Sequence, residues 1–180
     1  GKAALEAKNY QEAYTKFSTY LTQTNNQDSV IAFNCGVCAD KIKKPAEALK
    51  YFDIAVQRKY NLANAYIGKA GALKDLKKNE EYVATLKEGL EANPGNKTLT
   101  KMYATYYVNQ GILAQRSKKV NEAEEAFKQA LTIQPENINA LNSLGSLYYS
   151  QGANTLKTDA EKAKVESVSY THLTLPTTSR

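Results

Sequence analysis

Two cysteines, Cys35 and Cys38, have the C-x2-C spacing that could hold half of a metal site or a redox pair. The chain contains no other cysteine, and its only histidine, His172, lies close to the C-terminus. Because both cysteines flank Gly36 within a predicted helix, we interpret them as small core residues. Phosphate-binding loops, zinc-protease motifs and nucleophile elbows are absent from the sequence. The sequence therefore predicts no catalytic site, no metal site and no cofactor.

Paired lysines recur at regular steps, as Lys43-Lys44, Lys77-Lys78 and Lys118-Lys119. One interpretation is local, since cations near a helix C-terminus meet the negative end of its macrodipole, worth about 0.3–1 kcal/mol each. The other is a basic edge that docks an acidic protein tail, an anionic surface or nucleic acid. Nucleic acid is the least favoured partner, because the aromatic residues fall on predicted core stripes and the net charge is only +6.

The helices that carry these lysines repeat. In one set, an alanine is followed four residues later by a phenylalanine, as in Ala13 with Phe17, Ala48 with Phe52 and Ala123 with Phe127. A second set of small residues is spaced by 34, 41 and 34 residues and comprises Gly36, Ala70, Gly111 and Gly145. Residues four apart share one helix face, so each unit is predicted to be a helix pair with a small residue at its closest approach.

These residue types and spacings resemble the tetratricopeptide repeat family over roughly residues 1–150. The resemblance implies an all-α fold, a right-handed superhelical solenoid of stacked antiparallel helix pairs. Tyr82 departs from the pattern, because it replaces the small residue of the third unit's second helix. We expect this ring to push the two helices apart or to turn outward.

The predicted helices are 1–8, 10–24, 28–42, 45–58, 62–76, 79–92, 97–117, 120–133 and 137–152, with a further helical stretch at 159–168. The 41-residue step adds seven residues, about two turns, to the helix that begins near residue 97. The predicted organisation is a partial repeat 1–27, repeats 28–61, 62–96 and 97–137, a truncated repeat 138–168 and a tail 169–180. That tail abandons the helical pattern and resembles a non-native, adaptor-derived sequence.

In this family the concave face belongs to the first helix of each pair. The resemblance places seven polar side chains there, namely Asn34, Lys41, Asn64, Lys74, Asn109, Arg116 and Asn142. Asparagine can donate to and accept from a peptide backbone. We therefore expect a bacterial, non-enzymatic scaffold that binds a partner protein or peptide in its groove. The alternatives are a regulatory or targeting array of a larger protein, or binding of an anionic partner through the lysine edge. The sequence is compatible with a cytoplasmic or a periplasmic location.

Overall fold

The computed structural model describes the backbone of residues 2–173 and the side chains of residues 9–155 and 157–160. Over that range the chain forms helices and no strand, which confirms the all-α class. The helices are α1 (Lys2–Gln23), α2 (Ser29–Lys41), α3 (Pro45–Gln57), α4 (Leu62–Asp75), α5 (Asn79–Ala92), α6 (Lys97–Arg116), α7 (Val120–Ile133) and α8 (Ile138–Leu173). None of the helices described is long and apolar enough to cross a membrane.

Local sequence sets several of the helix starts. The Asp28 carboxylate accepts hydrogen bonds from the backbone N–H groups of Val30 and Ile31, both at 3.0 Å. Asn96 and Asn137 play the same part at the starts of α6 and α8. Pro45 occupies the first turn of α3, where its missing N–H costs no helical hydrogen bond.

The chain divides into two compact units, the first of which ends at Tyr106. In this unit each helix from α1 to α4 packs against the next, and α2 also contacts α4. Phe52 of α3 sits against two glycines, since a Cβ atom at Gly36 or Gly68 would come within 3.0 Å or 2.4 Å of its ring. The glycines are required at these positions because they let the first helices approach the ring closely.

The second unit begins at Tyr107 and contains the rest of α6, α7 and α8. Phe127 of α7 is fully buried and lies against Gly111, whose Cβ would come within 2.4 Å of the ring. Leu147 of α8 packs into the same cluster. The alanine–phenylalanine pattern therefore builds the core of this unit as it does in the first.

Helix α6 has 20 residues, whereas α2 to α5 and α7 have 13 or 14. Leu99, Met102 and Tyr106 belong to the core of the first unit. Val108 and Ile112 belong to the clusters of the second. The added turns thus give one helix enough length to contribute apolar residues to both units.

Two expectations about helix bounds are wrong. α1 runs unbroken through Asn9, where two helices were predicted; no glycine or proline lies between Gly1 and Gln23 to end it. α8 continues past Gly152 to Leu173, so residues 169–173 of the predicted tail are helical, again without an intervening proline. The remaining tail, 174–180, lies outside the described residues. Of the two outcomes expected for Tyr82, the outward ring does not occur: the ring is buried, and its hydroxyl donates to the Met102 carbonyl at 3.5 Å.

Candidate partner-binding surfaces

The seven predicted groove residues are all exposed. Asn34 and Lys41 lie on α2, and Asn64 and Lys74 lie on α4, the helix that α2 contacts directly. The first unit therefore carries two adjacent first helices with exposed polar side chains. The second unit carries the other three, which are Asn109, Arg116 and Asn142.

Some of these side chains also have local roles. The Asn64 amide donates to the Asn61 side-chain oxygen at 3.0 Å, in the first turn of α4. Lys41, Lys74 and Arg116 each occupy the last turn of their helix, where a cation meets the negative end of the macrodipole. Asn109 follows Asn34 by two repeat steps, of 34 and 41 residues. The two asparagines therefore present the same amide group at equivalent positions of α2 and α6.

The predicted basic-edge lysines build the turns between first and second helices. Lys43, Lys77 and Lys118 have φ values of 60°, 59° and 58°, in the left-handed region. The N–H of Lys43 donates to the Asp40 carbonyl and that of Lys44 to the Ala39 carbonyl, at 3.0 and 2.9 Å. This pair of bonds is the Schellman motif, and it recurs at Lys77-Lys78 and Lys118-Lys119.

The second lysine of each pair precedes a glutamate by three residues. Lys78 pairs with Glu81 at 2.9 Å and Lys119 with Glu122 at 3.0 Å. Each lysine of the edge thus has a helix-ending or ion-pairing role inside the chain. Docking of an anionic partner by this edge stays a prediction.

At the first of these turns, the side chain of Tyr14 contacts both Lys44 and Glu47. The Tyr14 hydroxyl donates to the Glu47 carboxylate at 3.2 Å, and the Lys44 Nζ lies 4.9 Å from the centre of the Tyr14 ring. The same ring packs edge-on against Tyr51, and the Tyr14 carbonyl lies 4.0 Å from the Cys35 sulfur. Burial, and then the Glu47 charge, raise the pKa of Tyr14 to about 12.

Cys35 and Cys38 are buried core residues, as the sequence predicted. Burial raises the pKa of the Cys35 thiol to about 12 and also raises that of Cys38. Nucleophilic attack and metal binding both need the thiolate. Among the described residues no group of three metal-ligating side chains comes together.

Sequence reasoning missed the cluster around Tyr14. The available signal was the repeated lysine-x-x-glutamate of residues 44–47, 78–81 and 119–122, which marks equivalent positions after each turn. The side chain that packs beside each lysine–glutamate pair comes from another helix, so no local sequence pattern identifies it.

A family model described as TPR repeat matches residues 116–152. The crystal structure of a TPR repeats protein from Bacteroides fragilis NCTC 9343 is 50% identical, with a TM-score of 0.79, over 96% of this chain and 78% of that one. Two structures share the fold at lower identity. YrrB, described as a TPR protein with an unusual peptide-binding site, is 22% identical with a TM-score of 0.51, over 77% of this chain and 68% of its own. MamA is 18% identical with a TM-score of 0.50, over 96% and 90%.

No curated protein matches the chain. The Bacteroides structure fits the expectation of a bacterial protein, and its identity extends over most of both chains. The helix pairs, the glycine–phenylalanine contacts and this relative all indicate the TPR fold. That fold is the fold of a protein–protein interaction scaffold. The chain belongs to the tetratricopeptide repeat family.

Proposed function

We propose that this protein holds an extended or helical segment of a partner in a groove formed by the first helices of its repeats. The observation that carries the proposal is the pair α2 and α4, which touch each other and expose Asn34, Lys41 and Lys74. Tyr66, the aromatic residue of α4, is buried in the core instead. The three exposed side chains are polar and suited to hydrogen bonding.

The chemistry of this face favours a peptide backbone with acidic side chains nearby. An asparagine amide can pair with one peptide unit through both its donor and its acceptor, while the lysines attract carboxylates. YrrB, which shares the fold, is described as having a peptide-binding site. That description supports the class of partner and leaves its sequence open.

A peptide array tests the proposal. The whole chain, fluorescently labelled, is applied to an array of short peptides of varied charge, and bound peptides are then titrated in solution. We expect the double variant Asn34→Ala with Lys74→Ala to weaken binding about tenfold or more, because each lost charge-assisted or amide hydrogen bond contributes about 1–2 kcal/mol. Asn109→Ala with Arg116→Ala makes the corresponding test in the second unit.

The matched control is Asn79→Ala with Lys87→Ala, which removes an exposed asparagine and an exposed lysine from α5, a second helix. This variant is expected to bind as the wild type does. Equal losses in the groove and control variants would contradict a groove on the first helices. Binding that disappears only with Lys43→Glu and Lys77→Glu, and falls steeply with salt, would instead identify the lysine edge.

A further inference from the structure

The surroundings of Tyr14 recur in the next repeat. Its ring and hydroxyl contact Lys44, Glu47 and Tyr51, its carbonyl lies near the Cys35 sulfur, and it packs against the cluster that contains Ala39. Their counterparts one repeat later, 34 residues on, include Leu73, Lys78 and Glu81. There Leu49, which follows Tyr14 by 35 residues, packs into the cluster that contains Leu73. In both repeats a second helix therefore supplies one large side chain to the same cleft.

The counterparts after a further 41 residues line an open cleft of about 380 Å³. They are Gln110, Ala114, Lys119, Glu122 and Ala126, joined by Leu113 and Ser117. All of these residues lie in the second unit. Leu113 is 55% exposed, whereas Ala72 and Leu147, at the same repeat position in α4 and α8, are 1% and 3% exposed. A position that is covered elsewhere in the chain is thus uncovered here.

The side chain at the base of the open cleft is smaller than its counterpart in the cleft that Tyr14 fills, because Ala126 occupies the repeat position of Tyr51. A volume near 380 Å³ is at the lower end of the range for small-molecule pockets. Its rim keeps the lysine and the glutamate that Tyr14 uses, here paired with each other at 3.0 Å. Both groups are more than half exposed, so rearranging this ion pair costs little.

We propose that this cleft docks an amphipathic helix of a partner protein through a tyrosine. Its ring lies against Leu113 and beneath the Lys119 ammonium, and its hydroxyl donates to Glu122. The occupant is a helix because Tyr14 and Leu49, which fill the counterpart clefts, both lie on helices, α1 and α3. Tyrosine is favoured because Lys44 and Glu47 already hold one with the same pair of side chains. A second copy of the chain is disfavoured, because Tyr14 is engaged in its own cleft.

The test uses the helix that the chain itself places in the counterpart cleft. The probe is a synthetic peptide of residues 9–24 with a fluorescent label and a lactam bridge replacing Gln11 and Thr15, which are exposed neighbours on one helix turn. The bridge holds the peptide in a helix, so binding does not have to offset the entropic cost of forming a short helix. Fluorescence anisotropy against the whole chain is expected to give saturable binding. A bridged peptide with Tyr14→Ala should bind at least tenfold more weakly.

Leu113→Arg in the protein is expected to weaken probe binding at least tenfold. Leu141→Arg is the control, because Leu141 is another exposed leucine of the same unit, at 50% exposure, on α8 and outside the cleft. The proposal is overturned if no probe binds, if Leu113→Arg has no effect, or if both variants lose binding equally. Sedimentation showing a wild-type dimer that Leu113→Arg dissociates would also overturn it, since the occupant would be a second copy.

This surface is independent of the groove of first helices. Asn34→Ala with Lys74→Ala is expected to leave probe binding unchanged, and Leu113→Arg is expected to leave binding of array peptides unchanged. Failure of one proposal is therefore distinguishable from failure of the other.

Discussion

The two units each contain a tyrosine that donates to a glutamate, yet the surroundings of the two pairs differ. In the first unit Tyr14 meets Glu47 among the buried rings and thiols of Tyr51 and Cys35. In the second unit Tyr148 donates to Glu124 at 2.8 Å on the solvent-exposed face of α8. We therefore expect the contribution of such a hydrogen bond to stability to depend on the burial of its repeat position rather than on its donor–acceptor distance.

Alkaline pH should separate the two pairs most strongly. The folded-state pKa values of Tyr14 and Cys35, about 12, lie above their ordinary values of 10.0 and 9.0, so the folded protein keeps protons that the unfolded chain releases. Stability is therefore full below about pH 9 and falls as pH rises toward 12, by up to about 1.4 kcal/mol per pH unit for each group. Urea unfolding at a series of pH values measures this slope.

The matched substitutions are Tyr14→Phe and Tyr148→Phe. The first is expected to flatten the alkaline slope, because it removes one partly buried group whose pKa rises on folding. The second is expected to flatten the slope less, because Tyr148 is exposed and solvent screens the hydrogen bond to Glu124 that raises its pKa. Equal alkaline slopes of the unfolding free energy in the two variants would contradict the expected difference between the surroundings of Tyr14 and Tyr148.

A pair of glycines tests how the second unit packs. Gly111→Ala places a Cβ within 2.4 Å of the Phe127 ring, and we expect a loss of about 1–3 kcal/mol from overpacking. Gly145, at the same repeat position in α8, would have no neighbour within 4 Å of an added methyl group, so Gly145→Ala should gain up to about 1 kcal/mol from helix propensity. Thermal unfolding followed by circular dichroism gives both values; a loss for Gly145→Ala would indicate a partner helix on that face.

The lysine turns should show the smallest effect and no difference between units. Lys43→Gly in the first unit and Lys118→Gly in the second are each expected to stabilise by about 0.5–1 kcal/mol, because glycine adopts a positive φ without steric cost. Lys87→Gly, within α5, removes the same charge and should instead destabilise by about 1 kcal/mol. Denaturant midpoints compare the three variants, and unequal gains at the two turns would show that the turns differ.

The spacing of Gly36, Phe52, Gly111 and Phe127 was enough to predict the helix pairs, because each ring follows the glycine that it meets by the same 16 residues. The sequence left two outcomes open for Tyr82, and the ring is buried because its hydroxyl finds an acceptor, the Met102 carbonyl. The open cleft at Leu113 was beyond sequence reasoning, since Leu113 and Leu147 have the same side chain and repeat position but different coverage.

The Schellman turns separate backbone geometry from surface charge. Two main-chain hydrogen bonds and a left-handed residue fix the angle between helices, while the side chains at those positions extend into solvent. Relatives can therefore remove the charge at these corners with asparagine, or reverse it with aspartate, because both tolerate the same conformation and leave the turn between the helices unchanged. Selection for a new electrostatic surface and selection for the scaffold can proceed independently at these residues.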